Sequence, residues 1–255
     1  MRNYIILSLL ALATGFTACT KEDEESMSAP AIKTSDLKFS VTQETGHDNI
    51  VYLNSSTAGS FIPLWQYAGD FSKKTNDTVM IPFGGTYWVR YSVYTNGGPV
   101  ADSSQITVSQ NDPEYFNSRY WKLLTDTGKG VTWVWAVDVP TKYCYGNGPG
   151  DATTPQWWTN GASYLDQQGV LNDEFTFDLE GAKNFTFNHN GTVTKAKFDV
   201  DTTAGTVKIT GSDLPLGTKA TYTIVLLDEN QLTLVEQGAG WRNIWLFKRK
   251  GYSYN

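Results

Sequence analysis

No segment of this chain repeats apolar residues at helical spacing for more than a couple of turns. Short runs that alternate apolar and polar residues recur instead between clusters of Gly, Asn, Asp and Pro, among them "TYWVRYSVY", "VTWVWAVD", "EFTFDLE", "GTVKIT" and "QLTLVE". Alternation at a period of two, with Val, Ile, Thr and aromatic residues, marks strands with one buried face. The fold class is therefore all-β and largely antiparallel. The polar, proline-bearing "QNDPE" (Gln110 to Glu114) divides it into two strand sets, residues 30–110 and 112–255.

The chain opens "MRNYIILSLLALATGFTAC". This apolar run is shorter than the roughly 20 residues needed to span a bilayer, and it has the shape of a secretory signal. Its Phe16-Thr17-Ala18-Cys19 ending resembles the lipobox of bacterial lipoproteins. The resemblance implies removal of residues 1–18, acylation of Cys19 and attachment to a membrane. The tract Lys21-Glu22-Asp23-Glu24-Glu25 reads as a solvated acidic tether over 19–29. It is similar to the export signal that carries lipoproteins of gut Gram-negative anaerobes to the outer leaflet, so the expected location is the outer membrane, facing the cell exterior.

Composition excludes several classes of function. The formal net charge is −6 and there is no basic run, which argues against nucleic acid and against strongly anionic polymers. With Cys19 lipidated, Cys144 has no disulfide partner, and His47 and His189 stand far apart without zinc-like spacing. No cofactor is expected. Calcium is a minor option at Asn147, Asp151 or the acidic strand, because its ligands are hard oxygens.

In the first set, "WQYAGD" (Trp65 to Asp70) and then "PFGGTYWVRYSVYTNGG" (Pro82 to Gly98) resemble the PKD module of surface proteins. Gln66 and Phe71 depart from its first motif, whereas Gly85-Thr86-Tyr87 and Asn96-Gly97-Gly98 keep the rest. The resemblance implies an Ig-like sandwich acting as a spacer, with Trp65 and Trp88 in its core.

The other seven tryptophans all follow residue 112. There, Thr132-Trp133-Val134-Trp135, Asp138, Pro140, "YGNGPGD", "PQWW" and Asn172 to Phe177 resemble the C-terminal glycan-binding domains attached to PKD modules in outer-membrane lipoproteins of polysaccharide-utilisation (starch-utilisation-system-like) loci. The resemblance implies a β-sandwich or jelly-roll that binds a neutral polysaccharide, a glucan first among them, for surface glycoside hydrolases and an outer-membrane importer. A closed, lipocalin-like barrel ending in "WLFKRK" is the alternative fold.

Trp and Tyr rings complement the flat C–H faces of sugars, and Asp, Asn and Gln complement their hydroxyls. The candidate glycan-binding residues are Trp135, Asp138, Tyr145, Asp151, Gln156, Trp157, Trp158 and Trp241. Trp133 and Trp135 share a strand face, which assigns Trp133 to the core and leaves Trp135 open between core and ligand. Trp121 is expected in the core, entering the first strand of the set. Tyr145 is favoured over Tyr143 for display. Strand alternation through Trp157-Trp158 sends one ring to the core and the other, Trp158, to the ligand side.

An enzyme of another class, a small endo-acting glycoside hydrolase, rests on "DEFTFDLE". There Glu174, Thr176, Asp178 and Glu180 would share one strand face, at carboxylate spacings loosely similar to the acidic strand of laminarinase-type hydrolases. The same pattern describes a strand whose acidic face lies in water, and that reading leaves the chain without catalysis. An adhesin or structural surface protein without a sugar site is the third reading.

Overall fold

The computed structural model of the protein describes residues 31–254; the signal segment, Cys19 and the acidic tract lie outside them. The described chain is all-β apart from two short helices and a single 3-10 turn. Its buried apolar residues fall into two clusters, one within residues 37–108 and one within 116–247.

The first set contributes β1 (Phe39–Glu44), β2 (His47–Ser55), β3 (Ile62–Tyr67), β4 (Asp70–Ser72), β5 (Asn76–Met80), β6 (Gly85–Thr95) and β7 (Gly98–Val108). They form two antiparallel sheets, ordered β1-β2-β5 and β4-β3-β6-β7. Trp65 anchors the core: it is fully buried, packs at a tilt against Tyr91 with centroids 4.4 Å apart, and donates its indole N–H to the Lys74 carbonyl at 3.0 Å. Trp88 does not join it. Val89, Tyr91 and Val93 point inward from β6, so Trp88 falls on the opposite face with Arg90 and is 63% exposed. The expectation of two core tryptophans is therefore corrected to one.

The second set begins with α1 (Arg119–Thr125), then β8 (Val131–Trp135), β9 (Tyr145–Pro149), β10 (Trp158–Asn160) and α2 (Ala162–Gln167). It continues through β11 (Glu174–Asp178), β12 (Asn184–His189), β13 (Thr192–Asp201), β14 (Thr206–Thr210), β15 (Thr221–Leu227), β16 (Gln231–Gln237) and β17 (Trp241–Arg249). Strands β8 and β11 to β17 pair in succession, and β17 pairs back onto β8. The sheet thus closes on itself as an eight-strand antiparallel barrel rather than stacking as two layers, so the barrel alternative replaces the sandwich or jelly-roll. Closure removes two open sheet edges, which is its physical advantage.

The barrel interior is filled. Phe175 meets Phe247 and Phe185 at 4.8 and 5.6 Å, Phe177 meets Phe198 at 4.7 Å, and Trp135 meets Phe247 at 4.8 Å. An eight-strand barrel is just wide enough for side chains to close it, and these rings do so. Trp121 is buried as expected but sits on α1 rather than a strand, packed on Phe198 at 5.6 Å. Ser118 caps that helix by accepting the Tyr120 amide.

Strand β17 has two partners in turn. Its first half, Trp241 to Trp245, pairs with β9, and its end, Phe247 to Arg249, pairs with β8. Leu246 sits at the fork, where its carbonyl accepts the Ala136 amide and its amide donates to the Cys144 carbonyl. Beyond that fork, β10, β9 and the first half of β17 form a lip that extends the barrel wall.

Candidate functional site

The lip carries the exposed tryptophans of the second set. Across it, Trp158 on β10 opposes Asn147 on β9, Asn147 opposes Asn243 on β17, and Asn243 opposes Glu236 on β16. Residues directly opposed in a sheet share a face, so these four side chains form one row across four strands. Trp241, two residues before Asn243, lies on the same face. Trp158 is 43% exposed and Trp241 40%.

Glycines shape this surface at two points. A Cβ on Gly146 would collide with the Trp158 carbonyl, so only glycine lets β10 approach β9 there. A Cβ on Gly238 would run into the Trp241 indole, so that ring lies directly over the β16–β17 turn. It is therefore the Trp158 backbone, not a ring, that needs the space left in "YGNGPG".

Asn147 holds the tryptophan pair. Its carbonyl accepts the amides of both Gln156 and Trp157, at 2.9 and 3.0 Å, and its side-chain oxygen accepts the amide of Trp158 at 3.1 Å. Two successive amides on one carbonyl interrupt regular alternation, and β10 begins only at Trp158. The expected division into one core ring and one displayed ring is corrected: Trp157 is 62% exposed as well, and neither indole is core.

Trp158 is buttressed from below. Tyr145 and Tyr164, the latter from α2, each meet it at 5.4 Å, nearly edge-on. Tyr145 continues inward to Trp245 at 5.5 Å and Trp135 at 5.9 Å. Its half-buried ring is thus a foundation for Trp158, while Tyr143 is the more exposed tyrosine, opposite to expectation. Burial, then the neighbouring Tyr164 and Glu236, raise the Tyr145 phenol above its ordinary range.

Trp135 leaves the site altogether. It is 2% exposed, and its indole N–H donates to the Val170 carbonyl at 3.0 Å inside the barrel. Asp138 is committed to structure: its carboxylate accepts from Lys248 Nζ at 2.7 Å and from the Tyr254 amide at 3.2 Å. Burial favours its neutral form, but Lys248 and the amides outweigh burial and hold the carboxyl below the usual range. Asp151 and Gln156 are exposed in the segment joining β9 to β10. Arg242 ties that segment to β17 through the Ala152 carbonyl at 3.1 Å.

The acidic strand is distributed differently. Glu174, Thr176 and Asp178 do share the outer face of β11, while Phe175 and Phe177 are buried, but Glu180 falls after the strand ends. Glu174 is paired with Lys250 and accepts from Asn188, and Lys250 in first place holds its carboxyl below the ordinary value. Asp178 accepts from Asn184 at 2.7 Å. Among the described residues no three His, Cys, Asp or Glu side chains converge as a metal would require. Cys144 is buried with no disulfide partner among the described residues, and burial pushes its thiol up to about 12.

Asn147, Asn243, Glu236, Tyr164 and Gly238 are site residues that the sequence alone does not place there. Asn147 carries a signal in the sequence, since it stands between two glycines of "YGNGPGD". No protein-family model matches the chain, and no curated protein matches it either.

Proposed function

We propose that this protein is a lipid-anchored protein of the outer-membrane surface that binds a neutral polysaccharide on the barrel lip and retains it for surface glycoside hydrolases and an importer. The observation that carries the reading is the pair of solvent-facing indoles, Trp158 and Trp241, on one face of a lip whose amides point toward the same side. Aromatic planes and amides suit sugar faces and hydroxyls, and the overall negative charge suits an uncharged polymer.

In this reading the first set is an Ig-like, PKD-type spacer, an assignment supported by its seven strands in sheets of three and four. The lip binds and does not cleave. Support comes from Glu174, on the outer face of β11, whose carboxylate is spent on Lys250 and Asn188. No cofactor is required.

The test is a titration of the chain from residue 20 onward against soluble β-glucan, α-glucan, galactomannan and inulin, with reducing ends assayed in the same tubes. Saturable binding to at least one polymer without release of reducing ends is the expected result. Release that disappears in Glu174→Gln or Asp178→Asn makes the protein a hydrolase instead. On cells, Cys19→Ala should abolish acyl labelling and membrane association, and added protease should digest the wild-type protein on intact cells.

A further inference from the structure

The row Trp158–Asn147–Asn243–Glu236 runs at right angles to the strands, and its polar groups are not all spent. Asn147 uses its side-chain oxygen on the Trp158 amide, which leaves its NH2 group without a protein acceptor among the described residues. Asn243 uses its NH2 group on Glu236 at 3.2 Å, which leaves its side-chain oxygen without a protein donor among the described residues. A free donor and a free acceptor therefore stand opposite each other on neighbouring strands, between two exposed indoles.

The spacing sets the size of what fits. Neighbouring strands lie about 4.8 Å apart and residues two apart on a strand about 6.8 Å. Trp158 and Trp241 are separated by two strand steps and two residues, so their Cα atoms stand roughly 12 Å apart, on the order of two sugar repeats. One sugar cannot stack on both rings. The surface is also open at either end: Trp158 lies on β10, the edge strand of the sheet, and Trp241 begins β17 immediately after a turn.

Resting on the polysaccharide reading above, we infer that the lip takes an internal stretch of a linear neutral glycan, at least about three sugars long, laid across β10, β9 and β17. One terminal sugar of the stretch stacks on Trp158 and another on Trp241. Hydroxyls of the sugars between them donate to Asn243 and accept from Asn147. Glu236 acts by orienting Asn243 and does not touch the glycan.

The experiment is calorimetric titration of the chain from residue 20 onward with laminari-, cello-, malto- and manno-oligosaccharides of increasing length, from two to six units. Affinity should rise at least tenfold from the disaccharide to the tetrasaccharide of the recognised series and then level off, and borohydride reduction of the chain end should leave the hexasaccharide affinity unchanged. In Trp241→Ala, whose folding is checked by its melting curve, the rise with length should vanish. A flat length profile in the wild type, or an equal loss at every length in Trp241→Ala, overturns the extended row while polysaccharide binding stands. No binding to any oligosaccharide or parent polymer overturns both.

Discussion

The side chain of Asn147 accepts the backbone amide of Trp158 at 3.1 Å, so a single residue of β9 fixes where the edge strand begins and where its indole stands. Replacing Asn147 with Ala removes that acceptor and the neighbouring donor together. Stability should fall by about 1 kcal/mol, the ordinary worth of one hydrogen bond. Glycan affinity should fall more than about tenfold, because a drifting Trp158 must be ordered again on binding. Asn147→Asp keeps the acceptor and should recover stability before affinity. Melting curves and titrations of both variants test the separation.

The adjacent tryptophans should behave differently although both are exposed. Trp158→Ala should cost more than about 2 kcal/mol of binding with a small change in melting temperature. Trp157→Ala lies outside the row and should leave affinity within twofold of wild type. Equal losses in the two variants would show that the row is not the binding surface.

Core and surface tryptophans should separate by stability alone. Trp135→Ala and Trp65→Ala each empty a buried ring site and should cost about 3–5 kcal/mol. Trp88→Ala should stay within about 0.5 kcal/mol of wild type, as surface changes do. Chemical denaturation distinguishes the groups, and a large loss for Trp88→Ala would contradict its outward position.

Glycine requirements give a backbone prediction. Gly146→Ala forces the Trp158 carbonyl away and should detach β10 from β9, which hydrogen exchange at Thr159 and Asn160 would reveal. Gly238→Ala instead displaces the Trp241 indole and should weaken binding to long chains while β10 stays protected.

Acid should act through the ion pairs of Asp138 and Glu174, whose carboxyls are both held low in the folded chain. A depressed folded pKa contributes stability that is present above the unfolded value of about 4 and lost as pH falls through the folded value. The melting temperature of the wild type should therefore drop as pH is lowered below about 4. Asp138→Asn with Glu174→Gln should begin lower at neutral pH and fall less steeply. Parallel curves for the two proteins would assign acid sensitivity to other groups.

Much of this architecture is legible from residue alternation. Trp133 and Trp135 share a face of "VTWVWAVD", and both are buried as one continuous interior layer. The same parity puts Trp88 outside, beside Arg90, but the similarity of the surrounding motif to a core position masked it. Alternation fails at Trp157-Trp158 because Asn147 accepts two successive amides, an irregularity made by tertiary pairing rather than by local preference. Closure of the barrel is equally hidden, since a sandwich and a barrel demand the same inward and outward residues. What distinguishes them is the long-range pairing of Phe247 with Trp135.

Strand β17 closes the barrel with one half and supports the lip with the other. Loosening the lip therefore pulls on the barrel seam, and opening the seam removes the ground on which Trp241 and Asn243 stand. The lip and the barrel draw on the same continuous set of backbone hydrogen bonds. The β17 part of the lip cannot soften ahead of the molecule, and it should remain rigid up to the temperature at which the barrel itself gives way.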